Sequence, residues 1–123
     1  MASVQFILYA TLFLALISEG MSQQRCPVET ISIEQQETGR IVKGKTEYQV
    51  IVINICDCPQ KNVTLDCDGF QTVEDPDPAI FTKTEASCVL LHGKKVVPSI
   101  EVDFTYAWDE EYPFYLLSAA PAC

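Results

Sequence analysis

Basic residues are scarce in this 123-residue chain: eight Lys and Arg stand against 17 Asp and Glu, a formal net charge of −9. A surface so acidic repels phosphate backbones and anionic headgroups, which argues against nucleic-acid partners and lipid-surface binding. Histidine occurs once, as His92 beside Gly93, so no His-based metal motif can be assembled, and neither a Gly-x-Ser-x-Gly elbow nor a phosphate loop occurs. Long apolar runs are also missing after the first twenty residues, which excludes a later membrane-spanning helix of about 20 residues. No convincing long amphipathic helix, repeat or low-complexity tract follows residue 22.

One apolar run is present, Phe6–Ile17, uncharged over twelve residues and directly behind the first methionine. Its length suits a signal-peptide core and falls short of a bilayer span. Small residues follow at Ser18, Gly20 and Ser22. Residues 1–22 are therefore expected to be a signal peptide, although Met1–Gln5 carries no Lys or Arg, and residues 23–123 a single secreted domain in the extracellular space. Removing the leader leaves 101 residues and takes Glu19 with it, so the charge becomes −8. A core of that size has little stability to spare.

Cysteine supplies reinforcement. Cys26, Cys56, Cys58, Cys67, Cys88 and Cys123 all follow the leader, and an even set in a small exported chain predicts three disulfides. Zinc is the competing reading of Cys56-Asp57-Cys58 and Cys67, but the spacing is too tight for paired ligands and the export route is oxidising. Six cysteines allow 15 pairings; setting aside the three that close a strained Cys56–Cys58 ring leaves 12. The outermost cysteines would tie both ends of the mature chain into the body, each bridge contributing about 3 kcal/mol.

Periodicity two dominates the rest. Ile100–Tyr106 places Ile100, Val102, Phe104 and Tyr106 on one face and Glu101, Asp103 and Thr105 on the other, the pattern of a half-buried strand. Val63–Cys67 and Ile31–Ile33 alternate likewise. Tyr48–Ile55 is apolar on both faces and reads as a central strand. Cys88–Leu91 and Val96–Val97 flank His92–Lys95, read as a hairpin turn with Gly93 at positive φ. Leu116 and Leu117 belong to a last short strand. With turn signals at Asp68-Gly69, Glu74–Pro78 and Tyr112-Pro113, six to eight strands are expected in an all-β antiparallel sandwich or small barrel stapled by three disulfides.

Chemistry is thin on this scaffold. Three disulfides leave no thiol for a Cys–His nucleophile. The carboxylate pairs Asp66/Asp68 and Asp109–Glu111 read as solvated charges rather than acid–base machinery, and the two prolines in Glu74–Pro78 favour an extended loop over a calcium cage. No enzyme activity, cofactor or metal is expected. Asn62-Val63-Thr64 is a glycosylation sequon whose asparagine faces away from Val63 and Cys67, toward solvent. The aromatic segment Tyr106–Tyr115 is the remaining feature: Trp108 and Tyr112 flank a charged turn, where they either form a binding edge or cap the open end of the sandwich.

The order of these features resembles the tapetum determinant family of small secreted plant proteins. The matching residues are Tyr48-x-Val50, Asn54-x-Cys56, Cys58, Asn62-Val63-x-Leu65-x-Cys67 and Gly69-Phe70. They continue with Asp77-Pro78-x-Ile80-Phe81, Cys88-Val89-Leu90, Gly93, Phe104-x-Tyr106-Ala107-Trp108, Tyr112-Pro113-Phe114 and Cys123. The resemblance spans Cys26 to Cys123. It implies a non-enzymatic extracellular ligand read by a leucine-rich-repeat receptor-kinase ectodomain in cell-fate specification, with Trp108, Tyr112, Phe114 and Phe70 as partner-binding candidates. The residues alone also fit a cell-wall glycan-binding module, with Trp108 and Tyr112 stacking on sugar rings. A secreted hydrolase inhibitor presenting Glu74–Pro78 fits them as well.

Overall fold

In the computed structural model the described residues are 26–123; the expected leader, residues 1–22, lies outside them. Seven strands form: β1 (Ile31–Val42), β2 (Lys45–Asn54), β3 (Gln60–Asp66), β4 (Phe81–Thr84), β5 (Ser87–Leu90), β6 (Val102–Trp108) and β7 (Tyr115–Pro121). They build two antiparallel sheets, β1-β2-β6 and β4-β5-β3-β7. No helix long and apolar enough to cross a membrane occurs among these residues.

Local chemistry explains the first hairpin. Lys43 and Gly44 both take positive φ, 49° and 81°, the conformation that a two-residue turn needs to match the twist of its strands. It joins β1 to β2 with Val42 opposite Lys45. β2 lies at the centre of its sheet, between β1 and β6, as its two-sided apolar pattern predicts. A second two-residue hairpin, at Glu85-Ala86, sets Thr84 opposite Ser87 and joins β4 to β5.

The alternating faces meet between the sheets. Tyr48, Val50 and Val52 from β2 and Phe104 and Tyr106 from β6 are buried against Val63 and Leu65 from β3, Phe81 from β4 and Leu90 from β5. Phe81 and Phe104 bridge the sheets with ring centroids 4.5 Å apart. The result is an all-β sandwich with three disulfides, Cys26–Cys56, Cys58–Cys123 and Cys67–Cys88. The two residues of the Cys56-x-Cys58 motif thus reach opposite ends of the chain.

Two sequence expectations need correction. Ile100 does not belong to the inward face of its strand: β6 begins at Val102 and Ile100 is 60% exposed. Ser99 donates to the Asn54 carbonyl at 3.0 Å and the Ile100 amide turns back to Val97, so the chain reaches the strand line only two residues later. Cys88–Val97 is not a hairpin either. Leu91, His92 and Gly93 all have positive φ, which makes a left-handed turn that shifts the chain sideways without reversing it. Val96 then pairs with Gln60 of β3, and the hairpin partner of β5 is β4.

Behind the Cys56-x-Cys58 motif lies a polar knot. Asn54 is fully buried and donates to the Cys58 carbonyl at 2.8 Å and the Val96 carbonyl at 3.0 Å. Its side-chain oxygen accepts from the Cys56 amide at 3.0 Å and from Gln60 Nε2 at 2.9 Å. Gln60, also fully buried, reaches Thr30 Oγ1 as well. The Asn54 amide, satisfied at both its nitrogen and its oxygen, fixes one local backbone path, and that path aims the two cysteines at their separate partners. The buried Gln60 Oε1 finds no partner among the described residues.

Candidate functional site

At the end of the sandwich away from the paired disulfides, Trp108 closes β6 opposite Thr46 of β2. Its ring is half-buried. Lys45 Nζ stands 5.4 Å from the ring centroid and is held by Asp109 Oδ1 at 2.6 Å, so the indole already keeps one cation on its surface.

The following turn is anchored from below. Tyr106 is fully buried, and burial pushes its phenol up to about 12. Its hydroxyl donates to Gln35 Oε1 at 2.6 Å and accepts from the Tyr112 amide at 2.8 Å. Gln35 Nε2 completes the triangle by donating to the Tyr112 carbonyl at 2.6 Å. The Tyr112 hydroxyl in turn donates to the Asp68 carbonyl at 2.6 Å. Tyr112 therefore ties two loops together, and its phenol is raised by burial and then by the nearby Asp66 and Asp68 carboxylates.

The four aromatic candidates separate by burial. Phe70 is 5% and Phe114 8% exposed, and their rings lie 5.1 Å apart in the core, Phe70 also meeting Tyr106 and Phe81. Phe114 is thereby corrected from a partner-facing candidate to a core residue, and Phe70 keeps for a partner only the small part of its ring that lines a groove beside Trp108. Trp108 and Tyr112 keep part of their surface. No flat row of exposed rings results, because Phe70 and Phe114 are enclosed.

Beside Trp108 a groove of about 510 Å³ opens, lined by the buried Phe70 and Phe81, the half-buried Pro76 and Trp108, and the exposed Asp75 and Lys83. One wall comes from the loop after Phe70. Val73 donates to the Ala107 carbonyl at 3.0 Å and the Ala107 amide donates to Thr72 Oγ1 at 2.9 Å, so the loop lies along the free edge of β6. Glu74 points inward from it and hydrogen-bonds Glu47 of β2. Lys83 Nζ donates to the Phe70 carbonyl at 3.0 Å. The sequence pointed to Phe70, Trp108 and, within the Glu74–Pro78 loop, Asp75, but not to Lys83, which a single charged residue in a short strand does not announce.

The other candidates sit apart from this groove. His92 is exposed in the left-handed turn. Asp66 Oδ1 accepts from the Asp68 amide at 3.2 Å, and Asp77 Oδ1 from the Ala79 amide at 2.9 Å; both are turn-closing carboxylates. Cys26, Asp57 and Cys58 offer atoms close enough for a metal, yet both sulfurs are in disulfides and have no thiolate to give. Asn62 is exposed at φ 53°, a conformation asparagine tolerates better than most residues. It marks a break in the β3–β7 register, and its side-chain oxygen faces Gly93.

Comparison with known protein families matches residues 27–123 to the family described as tapetum determinant 1, C-terminal. No curated protein and no solved structure matches the chain.

Proposed function

This chain belongs to the tapetum determinant family of plant developmental signalling proteins, and from that membership we propose that it is a secreted ligand read by a leucine-rich-repeat receptor-kinase ectodomain. The observation that carries the reading is the match from residue 27 to the last cysteine, which takes in every strand and two whole bridges of the domain, Cys26 of the third lying one residue before it. The family is one of signals rather than enzymes. A rigid disulfide-stapled sandwich suits that role, because a pre-ordered surface loses little entropy on docking.

Three disulfides and the absence of a membrane-spanning helix among the described residues fit an exported protein. In this reading the leader is removed, the domain acts in the apoplast, and the exposed Asn62 carries a glycan. The contact surface is the Trp108–Tyr112 edge with the adjoining groove.

Binding of the secreted, oxidised protein to a panel of receptor-kinase ectodomains, with wall polysaccharides in parallel, tests the proposal. Saturable binding to an ectodomain that disappears on reduction supports it. Binding to glycans alone reassigns the protein to the wall-module class, and no binding to any ectodomain rejects the receptor reading.

A further inference from the structure

Resting on that ligand reading, we propose that the groove beside Trp108 receives an arginine-bearing segment of the protein partner, with the aliphatic stem on Phe70, Phe81 and Pro76 and the guanidinium between the indole and Asp75.

Volume, lining and charge each contribute. At about 510 Å³ the groove lies in the size range of ligand clefts, about 300–1,000 Å³, and exceeds one side chain, so a short extended segment fits. Phe70, Phe81 and Pro76 give it an apolar lining, and its half-buried indole is the ring type that attracts cations most strongly. The fold already shows that affinity, with the Lys45 ammonium 5.4 Å from the same ring. Arginine suits the place better than lysine: its guanidinium is planar, weakly hydrated and able to stack while engaging a carboxylate with two N–H groups.

Charge selects the sign of the partner. Asp109, Glu110 and Glu111 follow Trp108 directly, and Asp77 stands two residues from Asp75, in a chain of net charge −9. An acidic segment would be repelled, and a basic one steered in. A sugar platform is disfavoured, because Phe114 is enclosed in the core and the Tyr112 hydroxyl is committed to Asp68. Of the two cations near the indole, Lys45 is paired with Asp109, and the like charge that opposes the occupant from the groove itself is Lys83. It gives the proposal a signed prediction, since removing it helps a cation and harms an anion.

Trp108 is the sole tryptophan, so indole emission reports this groove alone. The full oxidised protein is titrated with blocked tripeptides carrying a central Arg, Gln or Glu, and with a cello-oligosaccharide. The expected result is a saturable emission change with the arginine peptide only, weakened by added salt. Asp75→Asn should weaken that binding, and Lys83→Gln should tighten it, each by about two- to fivefold, the scale of an exposed ion pair. Both side chains are exposed; because Lys83→Gln gives up the bond to the Phe70 carbonyl, far-UV circular dichroism of both variants checks that the fold is kept. A response to the glutamate peptide or the oligosaccharide in place of the arginine peptide overturns the proposal, as does indifference to both substitutions. An ectodomain that binds wild type, Asp75→Asn and Lys83→Gln equally rejects the groove while sparing the receptor reading. Arginine-peptide binding without any ectodomain binding rejects the receptor and spares the groove.

Discussion

Glu47 and Glu74 meet carboxyl to carboxyl, Glu47 reaching from the middle sheet strand to the loop that walls the groove. Glu47 is only 2% exposed. Thr38 Oγ1 donates to its Oε1 at 2.7 Å, and Arg40 Nη1 stands 3.6 Å from its Oε2. The buried Oε2 of Glu47 and Oε1 of Glu74 find no donor among the described residues, so the contact needs a proton. Glu74 keeps it: burial, then the bond to Glu47, raises its carboxyl, whereas that same bond lowers Glu47. Thr105 and Arg40 act on Glu74 in the opposite sense, more weakly.

Stability should therefore depend on pH through this pair. The raised Glu74 contributes stability that is complete below its ordinary value of 4.5 and is lost as pH rises through its raised value. The lowered Glu47 contributes stability present above 4.5 and lost as pH falls through its lowered value. The singly protonated pair is best between those two values. Calorimetric melting across this range is expected to show Tm falling on the alkaline side. Glu74→Gln, which keeps a donor and cannot ionise, should flatten that limb; an unchanged slope in the variant would show that the pair is not responsible.

Truncation should sort the aromatic residues into two classes. Phe70→Ala removes a ring that touches four other aromatic side chains besides sealing the core, and is expected to cost about 3–5 kcal/mol in a urea titration. Trp108→Ala removes a half-buried ring at the end of its strand, and is expected to leave a cooperative fold while weakening partner binding. Unfolding of the Trp108 variant would assign that ring a capping role instead.

Each disulfide should matter in proportion to the loop it closes. The sequence separations are 65 for Cys58–Cys123, 30 for Cys26–Cys56 and 21 for Cys67–Cys88. On the chain-entropy account the bridges are worth about 3–4 kcal/mol each, the longest loop most. Pairwise Cys→Ala variants compared by denaturant midpoint should follow that order, and full reduction should abolish the native far-UV spectrum. A spectrum unchanged in excess reductant would contradict it.

Asn54→Leu tests the polar knot. It removes one hydrogen bond each from the Cys56 amide, the Cys58 and Val96 carbonyls and Gln60 Nε2, although the Val96 carbonyl keeps the Gln60 amide and Gln60 Nε2 keeps Thr30 Oγ1. A buried hydrogen bond is worth about 0.5–1.5 kcal/mol. The expected outcome is poor secretion and scrambled bridges, read by disulfide mapping of the oxidised protein. Native pairing in high yield would mean that the cysteines find their partners without this guide.

Alternation along the chain was sufficient to identify the strand-forming regions, since period two in a chain without helical periodicity admits little else. It also placed β2 in the middle of its sheet, because Val50 to Ile53 would expose apolar groups anywhere else. It did not reveal the turn at Leu91–Gly93. Positive φ at Leu91 runs against the preference of that residue type, and long-range backbone bonds hold the chain there, from the Leu91 amide to the Ile80 carbonyl and between Val96 and Gln60 of β3.

What the sequence determined by itself was composition-borne: acidic charge, an even set of six cysteines, the strand pattern and the order of motifs that marks the family. Tertiary structure alone decided three things. It chose one cysteine pairing from the 12 left open, because proximity depends on how the two sheets bring residues 26, 56, 58 and 123 to one end. It enclosed Phe70 and Phe114 while leaving Trp108 partly open, because burial depends on what lies across the sheet interface. It brought Glu47 against Glu74 and Lys83 beside Trp108, because long-range contacts form between segments whose local sequences carry no record of each other.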